Sequence, residues 1–383
     1  TSLLFFSFLL HAINRNRNQR LPPGPTGLPI IGNLLDLGPK PHESLAKLSK
    51  KHGPLMTIRL GSTTTVVAST PEAAREILQH NDEACSGRVV PDAVASSPDN
   101  DVAMAWIPAN HEFRIMRKAL SICLTNQHKL DTLRDLRQNV VEGMIDFLND
   151  SGRKKANVDI GKLAFAVALN MMSNTCLSRN ELFLAGTETS SNTTEWTMTE
   201  LLLNPDMFSR VRKEVSTTVA EDGKIQEAKL LDLPYLQAVI KETMRLHLAV
   251  PLLVPHKSET EVKLGEYIVP KNTQIMVNAW AMARDPRYWE NPMKFKPERF
   301  LENELEFKGQ HFEFIPFGSG RRMCPGIPVA QRVVSLMVAS FVYHCDWILP
   351  HAREEMDMED IFGLTLFRAT PLLASPIPVA QCA

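Results

Sequence analysis

The sequence predicts a mainly α protein with small β-sheets. Apolar residues recur at helical spacing over roughly 111–124, 129–149, 157–177, 181–203, 206–220, 232–247 and 327–344. The β-rich pieces are short, near 55–69, 262–277 and the C-terminal end, and there is no internal repeat or low-complexity tract. Long helices with small sheets exclude a doubly wound α/β arrangement.

In chain order, residues 3–10 are almost wholly apolar and are followed by Arg15, Arg17 and Arg20. A membrane-spanning helix takes roughly 20 such residues, so residues 1–13 read as the remnant of an N-terminal membrane anchor with a cytoplasmic basic flank. A signal-peptide tail is the alternative, but no small-residue cleavage site follows. Residues 14–29 form a basic, proline-rich hinge in which Leu21-Pro-Pro-Gly-Pro25 is stiff and extended. The runs 55–60 and 63–69 make a hairpin about Gly61 and Ser62. Thr70 then caps a helix with Pro71 at its first position.

Composition narrows the function classes. The 383 residues are 44% hydrophobic, enough for a sizeable core. A formal net charge of −1 gives no footprint for nucleic acid. The cysteines at 85, 123, 176, 324, 345 and 382 form no CxxC, which argues against a zinc site or a disulfide framework and for a reducing compartment.

Chemistry concentrates around Cys324. The extended segment 312–317 runs into Gly318, Gly320, Arg321 and Arg322, then Cys324, Pro325 and Gly326, and an amphipathic helix follows. A cysteine at a helix start beside two arginines sits where dipole and charge favour the thiolate. Thiolate ligation pushes electron density onto an iron and favours O–O cleavage. A lone cysteine is more often an inert buried thiol; the spacing Phe317-x-x-Gly320-x-Arg322-x-Cys324-x-Gly326 reverses that weighting.

Three other stretches add to it. Glu242 and Arg245 lie three apart on one helix face, a natural ion pair and by itself an ordinary one. Phe295-Lys-Pro-Glu-Arg-Phe300 follows downstream. Ala185-Gly-Thr-Glu-Thr-Ser190 sets the hydroxyl of Thr189 beside the carboxylate of Glu188, a device for relaying protons. Gly186 removes bulk there, leaving room for dioxygen. The same segment also reads as a plain Ser/Thr-rich helix face.

The cysteine loop, the ExxR pair, the PERF segment and the AGTETS segment, in this order, resemble the cytochrome P450 family of plant microsomal type. The stretch from His256 to Gly326 is most similar to the group of geraniol hydroxylases and related monoterpenoid or alkaloid oxidases. The resemblance implies a cytochrome P450 fold and a heme-thiolate monooxygenase of secondary metabolism. It would insert one oxygen atom from dioxygen into a lipophilic terpenoid, alkaloid or phenolic small molecule. It implies heme b on Cys324, with Arg322, Arg117, His256, Phe317, Gly318 and Gly326 as cofactor-binding residues. Glu188 and Thr189 become the catalytic pair, and Arg299 joins Glu242 and Arg245 in a structural triad. Phe113 stands where the family usually has Trp. Segments 85–108, 248–254 and 362–366 would face substrate through Val102, Ile107, Ala185 (from the central helix), Val250, Leu253 and Leu364.

Implied partners are an NADPH-cytochrome P450 reductase, which passes on electrons from NADPH, and membrane lipid. The chain is expected as a monomer at the endoplasmic reticulum membrane, its catalytic domain of residues 30–383 facing the cytosol. One departure stands out. Glu188 follows Arg117 by only 71 positions, where the family has on the order of a hundred more residues. An internal deletion near 177–181 is therefore expected, removing part of the distal helices. The helices on either side would then expose apolar faces, and the distal pocket would open to water. A decayed, non-catalytic relic that still binds heme is the alternative reading.

Overall fold

The computed structural model describes residues 21–91, 103–175 and 180–379. The expected anchor, Val102, Cys176 and Cys382 lie outside the described residues. The described helices of eight or more residues are α1 (Pro41–His52), α2 (His111–Leu120), α3 (Arg134–Arg153), α4 (Ile160–Thr175), α5 (Asn180–Leu203), α6 (Pro205–Ser216), α7 (Pro234–Leu246) and α8 (Ile327–His344). The fold is mainly α with small sheets. The chain gathers into two compact units. The first holds Thr1–Met116, Pro251–Trp289 and Glu306–Met323; the second holds Arg117–Val250, Glu290–Leu305 and Cys324–Ala383.

The first unit is built on a five-stranded sheet ordered Leu55–Leu60, Thr63–Ala68, Gln274–Val277, His256–Lys257, Gly87–Arg88. The first two strands make the expected hairpin, with Leu55 opposite Ala68 and Leu60 opposite Thr63. Gly61, at φ +60°, supplies the left-handed residue of its turn. Thr63–Ala68 and Gln274–Val277 run parallel, and the other pairs antiparallel. The Thr70 side chain accepts from the Ala73 amide, with Pro71 opening the helix as its sequence suggests. The proline-rich segment is laid along the sheet, since the Thr57 amide donates to the Pro23 carbonyl at 2.9 Å. Only glycine fits at position 24, where a Cβ would stand 1.8 Å from the Thr57 carbonyl oxygen.

In the second unit α3, α4, α5 and α8 pack on one another. Helices α4 and α5 are antiparallel. Gly186 abuts Met172 near one end of the pair, and Gly161 abuts Glu195 near the other. They form an αα-hairpin whose connection is residues 176–179. This pairing bears on two expectations. A Cβ on Gly186 would meet the Met172 methyl at 2.5 Å, so its missing side chain also serves the packing of the two helices. Toward the C-terminal end of α5, Trp196, Met198, Leu201 and Leu202 are buried, while Phe165 of α4 is 40% exposed.

Helix α8 is long and apolar enough to cross a membrane by length and composition. Its residues from Arg332 to Val342 are all buried in the folded chain, which accounts for that composition. Helix α7 is more enclosed still, every residue from Tyr235 to Leu246 except Gln237 being buried.

Gly24→Ala forces the new methyl against fixed backbone. The expected cost is about 1–3 kcal/mol, as for other overpacked sites, read as a lowered thermal midpoint.

Candidate functional site

Cys324 lies in the second unit, just ahead of α8, whose N-cap is Gly326. The Gly326 amide donates to the Cys324 sulfur at 3.4 Å. Burial pushes the thiol up, opposed by that amide and by the positive charge of Arg117. Burial in turn lowers Arg117, and the Cys324 charge raises it. A free thiol here stays protonated. A metal cation at the sulfur would displace the proton, and the amide and Arg117 already oppose the cost of the negative charge. Ile327, Val329 and Ala330, on the first turn of α8, are only half-buried. A thiol with two thiolate-stabilising neighbours beside a half-covered apolar surface fits a flat, apolar, metal-bearing group such as heme.

The same unit brings Glu242, Arg245 and Arg299 together. Glu242 receives Arg245 Nε at 2.7 Å and Nη2 at 2.8 Å, Arg299 Nε at 3.1 Å and the Lys296 amide at 2.8 Å. The remaining guanidinium hydrogens reach the carbonyls of Pro292, Glu290 and Lys294. The Pro297–Phe300 turn, a 3₁₀ helix, presents Arg299 to α7.

On α5 the Thr189 hydroxyl donates to the Ala185 carbonyl at 2.7 Å. Thr187, Thr193, Thr194, Thr197 and Thr199 bond back to the preceding turn in the same way. The carboxylate of Glu188 is held by the Thr365 hydroxyl at 2.7 Å. Ala185 is exposed and Val250 half-buried. Leu364 is 74% exposed at the tip of the hairpin formed by Asp360–Phe362 and Leu366–Arg368, whereas Thr365 and Leu366 are buried.

The first unit contains a separate cationic cluster. Arg322 donates to the carbonyls of Ser86, Met104 and Ile107, with its guanidinium 4.2 Å from the Phe113 ring centroid. Phenylalanine at 113 thus supplies a π face to Arg322, where an indole would add an N–H donor. Arg88, which the sequence reading missed, is buried and donates to the carbonyls of Val254 and Pro255, while its Nε has no partner among the described residues. Burial and the Arg322 charge push Arg88 down to about 9. His256 is buried, with Nδ1 2.8 Å from the Cys85 carbonyl. Burial, Arg88 and Arg322 push it down to about 3, so it is neutral near pH 7 and its Nδ1 carries the proton. An orphaned guanidinium nitrogen among like charges fits an anionic group such as a carboxylate.

Of the other residues in this unit, Phe317 stacks edge-on against Phe307 at 5.4 Å. Gly318 takes φ +72° in the turn that follows. Ile107 is buried, and Leu253 is half-buried at φ +51°.

The family model described as Cytochrome P450 matches residues 22–181 and 178–372. This chain belongs to the cytochrome P450 family. Its enzymes are oxidoreductases, and the chain is of the monooxygenase type. Among similar proteins are geraniol 8-hydroxylase of Swertia mussotii (35% identity) and that of Catharanthus roseus (34%). Ferruginol synthase of Isodon rubescens is 33% identical. Each alignment covers 98% of this chain and 98% of the relative. The first runs over 483 positions against 383 residues here, so at least 100 (483 − 383) of them face no residue of this chain. The two matched stretches of the P450 model meet at 178–181, inside or beside the connection from α4 to α5.

Two measurements probe these clusters. Arg299→Ala leaves Glu242 short of one partner in a fully enclosed site, and the expected loss is about 3–5 kcal/mol in chemical denaturation. His256 has a folded-state value below its unfolded one, so the unfolded chain binds more protons between the two. Stability is then intact above about 6.5, the ordinary histidine value, and falls as pH drops toward about 3. For the protein without added heme, His256→Gln should flatten that acid limb by up to about 1.4 kcal/mol per pH unit.

Proposed function

We propose that this P450 binds heme through Cys324 and inserts one oxygen atom into a lipophilic small molecule of the terpenoid class. Electrons would come from NADPH through a P450 reductase at the endoplasmic reticulum membrane, with a monomeric catalytic domain facing the cytosol. The carrying observation is the Cys324 sulfur, flanked by the Gly326 amide and the Arg117 charge at the head of a buried apolar helix. Bound heme supplies oxygen activation by a thiolate-ligated iron, the chemistry for which this family is the standing example.

The chain's own residues divide the remaining work. Gly326 and Arg117 stabilise the sulfur as thiolate, while Arg88, Arg322 and His256 suit the heme carboxylates. Glu188 would supply protons, and Thr189, one residue on, would take part in passing them. The Thr189 proton is committed to the Ala185 carbonyl, so its lone pairs are what it offers to water. Ile107, Leu253, Ala185, Val250 and Leu364 are apolar, as a terpenoid substrate requires; Val102, assigned the same role, is outside the described residues. Similarity to proteins named geraniol 8-hydroxylase and ferruginol synthase supports the terpenoid class.

A second reading is a heme-binding relic without turnover. It is favoured by the hundred alignment positions that face no residue here. A site that has lost its roof to water loses activated oxygen before it reaches substrate.

The test is the reduced, carbon-monoxide-bound absorption spectrum. A thiolate-type Soret band is expected, and Cys324→Ala should abolish it. A chain that takes up no heme would sink both readings. Product formed per NADPH consumed with a reductase then separates the enzyme from the relic.

A further inference from the structure

We propose that Thr365, itself fixed by Asn192, is a positioning residue that holds the carboxylate of Glu188 for proton delivery. The inference rests on the role given to Glu188 above and extends it to two residues outside the family motifs.

Glu188 and Asn192 are four apart on α5 and share one helix face. Thr365 stands opposite them on the tight turn between Asp360–Phe362 and Leu366–Arg368. It is 3% exposed, so its hydroxyl is a fixed group and not a solvated one. The turn is pinned from two sides. The Leu366 amide donates to the Ala249 carbonyl at 2.8 Å, and the Gly363 amide donates to the Thr365 carbonyl at 3.0 Å.

The direction of each proton follows from the partners. The Leu366 carbonyl can only accept, and Asn192 Nδ2 lies 3.5 Å from it. That orients the amide group of Asn192 toward the turn, and the same Nδ2 donates to Thr365 Oγ1 at 2.8 Å. With its oxygen accepting from Asn192, the Thr365 hydroxyl sends its own hydrogen to Glu188 Oε1 at 2.7 Å. One carboxylate oxygen is thereby anchored by a neutral donor, and no cation pairs with the charge among the described residues. A charge-assisted bond of this kind restricts the side chain while leaving Oε2 for another partner.

The arrangement differs from those of Glu195 and Glu200, further along α5. The Glu195 side chain accepts the Leu372 amide and Glu200 meets His247 Nε2, and both residues are buried. Glu188 is half-buried and held on one oxygen by a side chain that could as well have been apolar. Valine has the shape of threonine, so packing of the turn alone does not require a hydroxyl at 365.

Thr365→Val removes the donor at constant volume and Thr365→Ser retains it. The first readout is a double-mutant cycle in denaturant with Glu188→Ala. Thr365→Val should change the unfolding constant about tenfold beside Glu188, as for a hydrogen bond to a charged group, and much less when residue 188 is Ala. The second readout is the carbon–oxygen stretch of carbon monoxide on the reduced, heme-loaded protein, which reports the field of nearby polar groups. Thr365→Val should shift or broaden this band toward its position in Glu188→Ala, and Thr365→Ser should restore it. Independent effects in the cycle overturn the proposal. So does a coupled cycle with an unmoved stretch band, which reduces Thr365 to a structural tie. Failure to bind heme at all refutes the underlying reading and is seen separately, because the cycle needs no heme.

Discussion

A buried carboxylate sets one of the constraints on which the second unit is built. Glu242 is fully enclosed on α7, and an ionised carboxylate in such a place is tolerable only when its oxygens are saturated by donors. Two guanidinium groups and one backbone amide do this. The surplus hydrogens of Arg245 and Arg299 then need acceptors, and three carbonyls from the 290–294 stretch provide them. The conformation of an otherwise irregular segment is thus dictated by the need to satisfy charge. With α7 buried around almost its whole circumference, the carboxylate also fixes the turn that carries Arg299.

Much of this was legible in the sequence, and the reason is local geometry. An ExxR pair on one helix face, a hairpin about Gly61 and a Thr-Pro helix start are decided within a few residues, and each stands where its spacing places it. Helix α1 was not read at all. Its sequence from Pro41 to His52 is polar and charged with only two buried residues, so it shows little apolar stripe. The stretch read as one helix over 129–149 is two, Gln127–Thr132 and Arg134–Arg153, broken at Leu133. Arg88, Asn192 and Thr365 were invisible for a different reason: their partners lie 166, 173 and 177 residues away. No local pattern marks a side chain whose role is set only when distant segments meet.

Gly186 shows how a motif residue can have more than one reason. Read in its motif, it makes room beside a reacting centre. In the fold, it lets α4 and α5 approach as an antiparallel pair, and Gly161 does the same at the other end. Brought together at these glycines, the two helices pack against α8, and α4 packs against α3 as well.

The contrast between the buried charges carries the functional argument furthest. At Glu242 every charge meets its opposite, and such a site has nothing left to offer a ligand. At Arg88 and His256 the acting charges are cationic, and one buried guanidinium nitrogen has no partner among the described residues. A fold does not gain stability by crowding like charges in a place with low dielectric, so their persistence points to an anion that offsets the cost when it arrives. At Cys324 the mismatch has the opposite sign, since two groups prepared for a negative sulfur surround a thiol that burial keeps protonated. Each unit thus carries its own mismatch, a buried sulfur prepared for a cation in the second and buried cations prepared for an anion in the first.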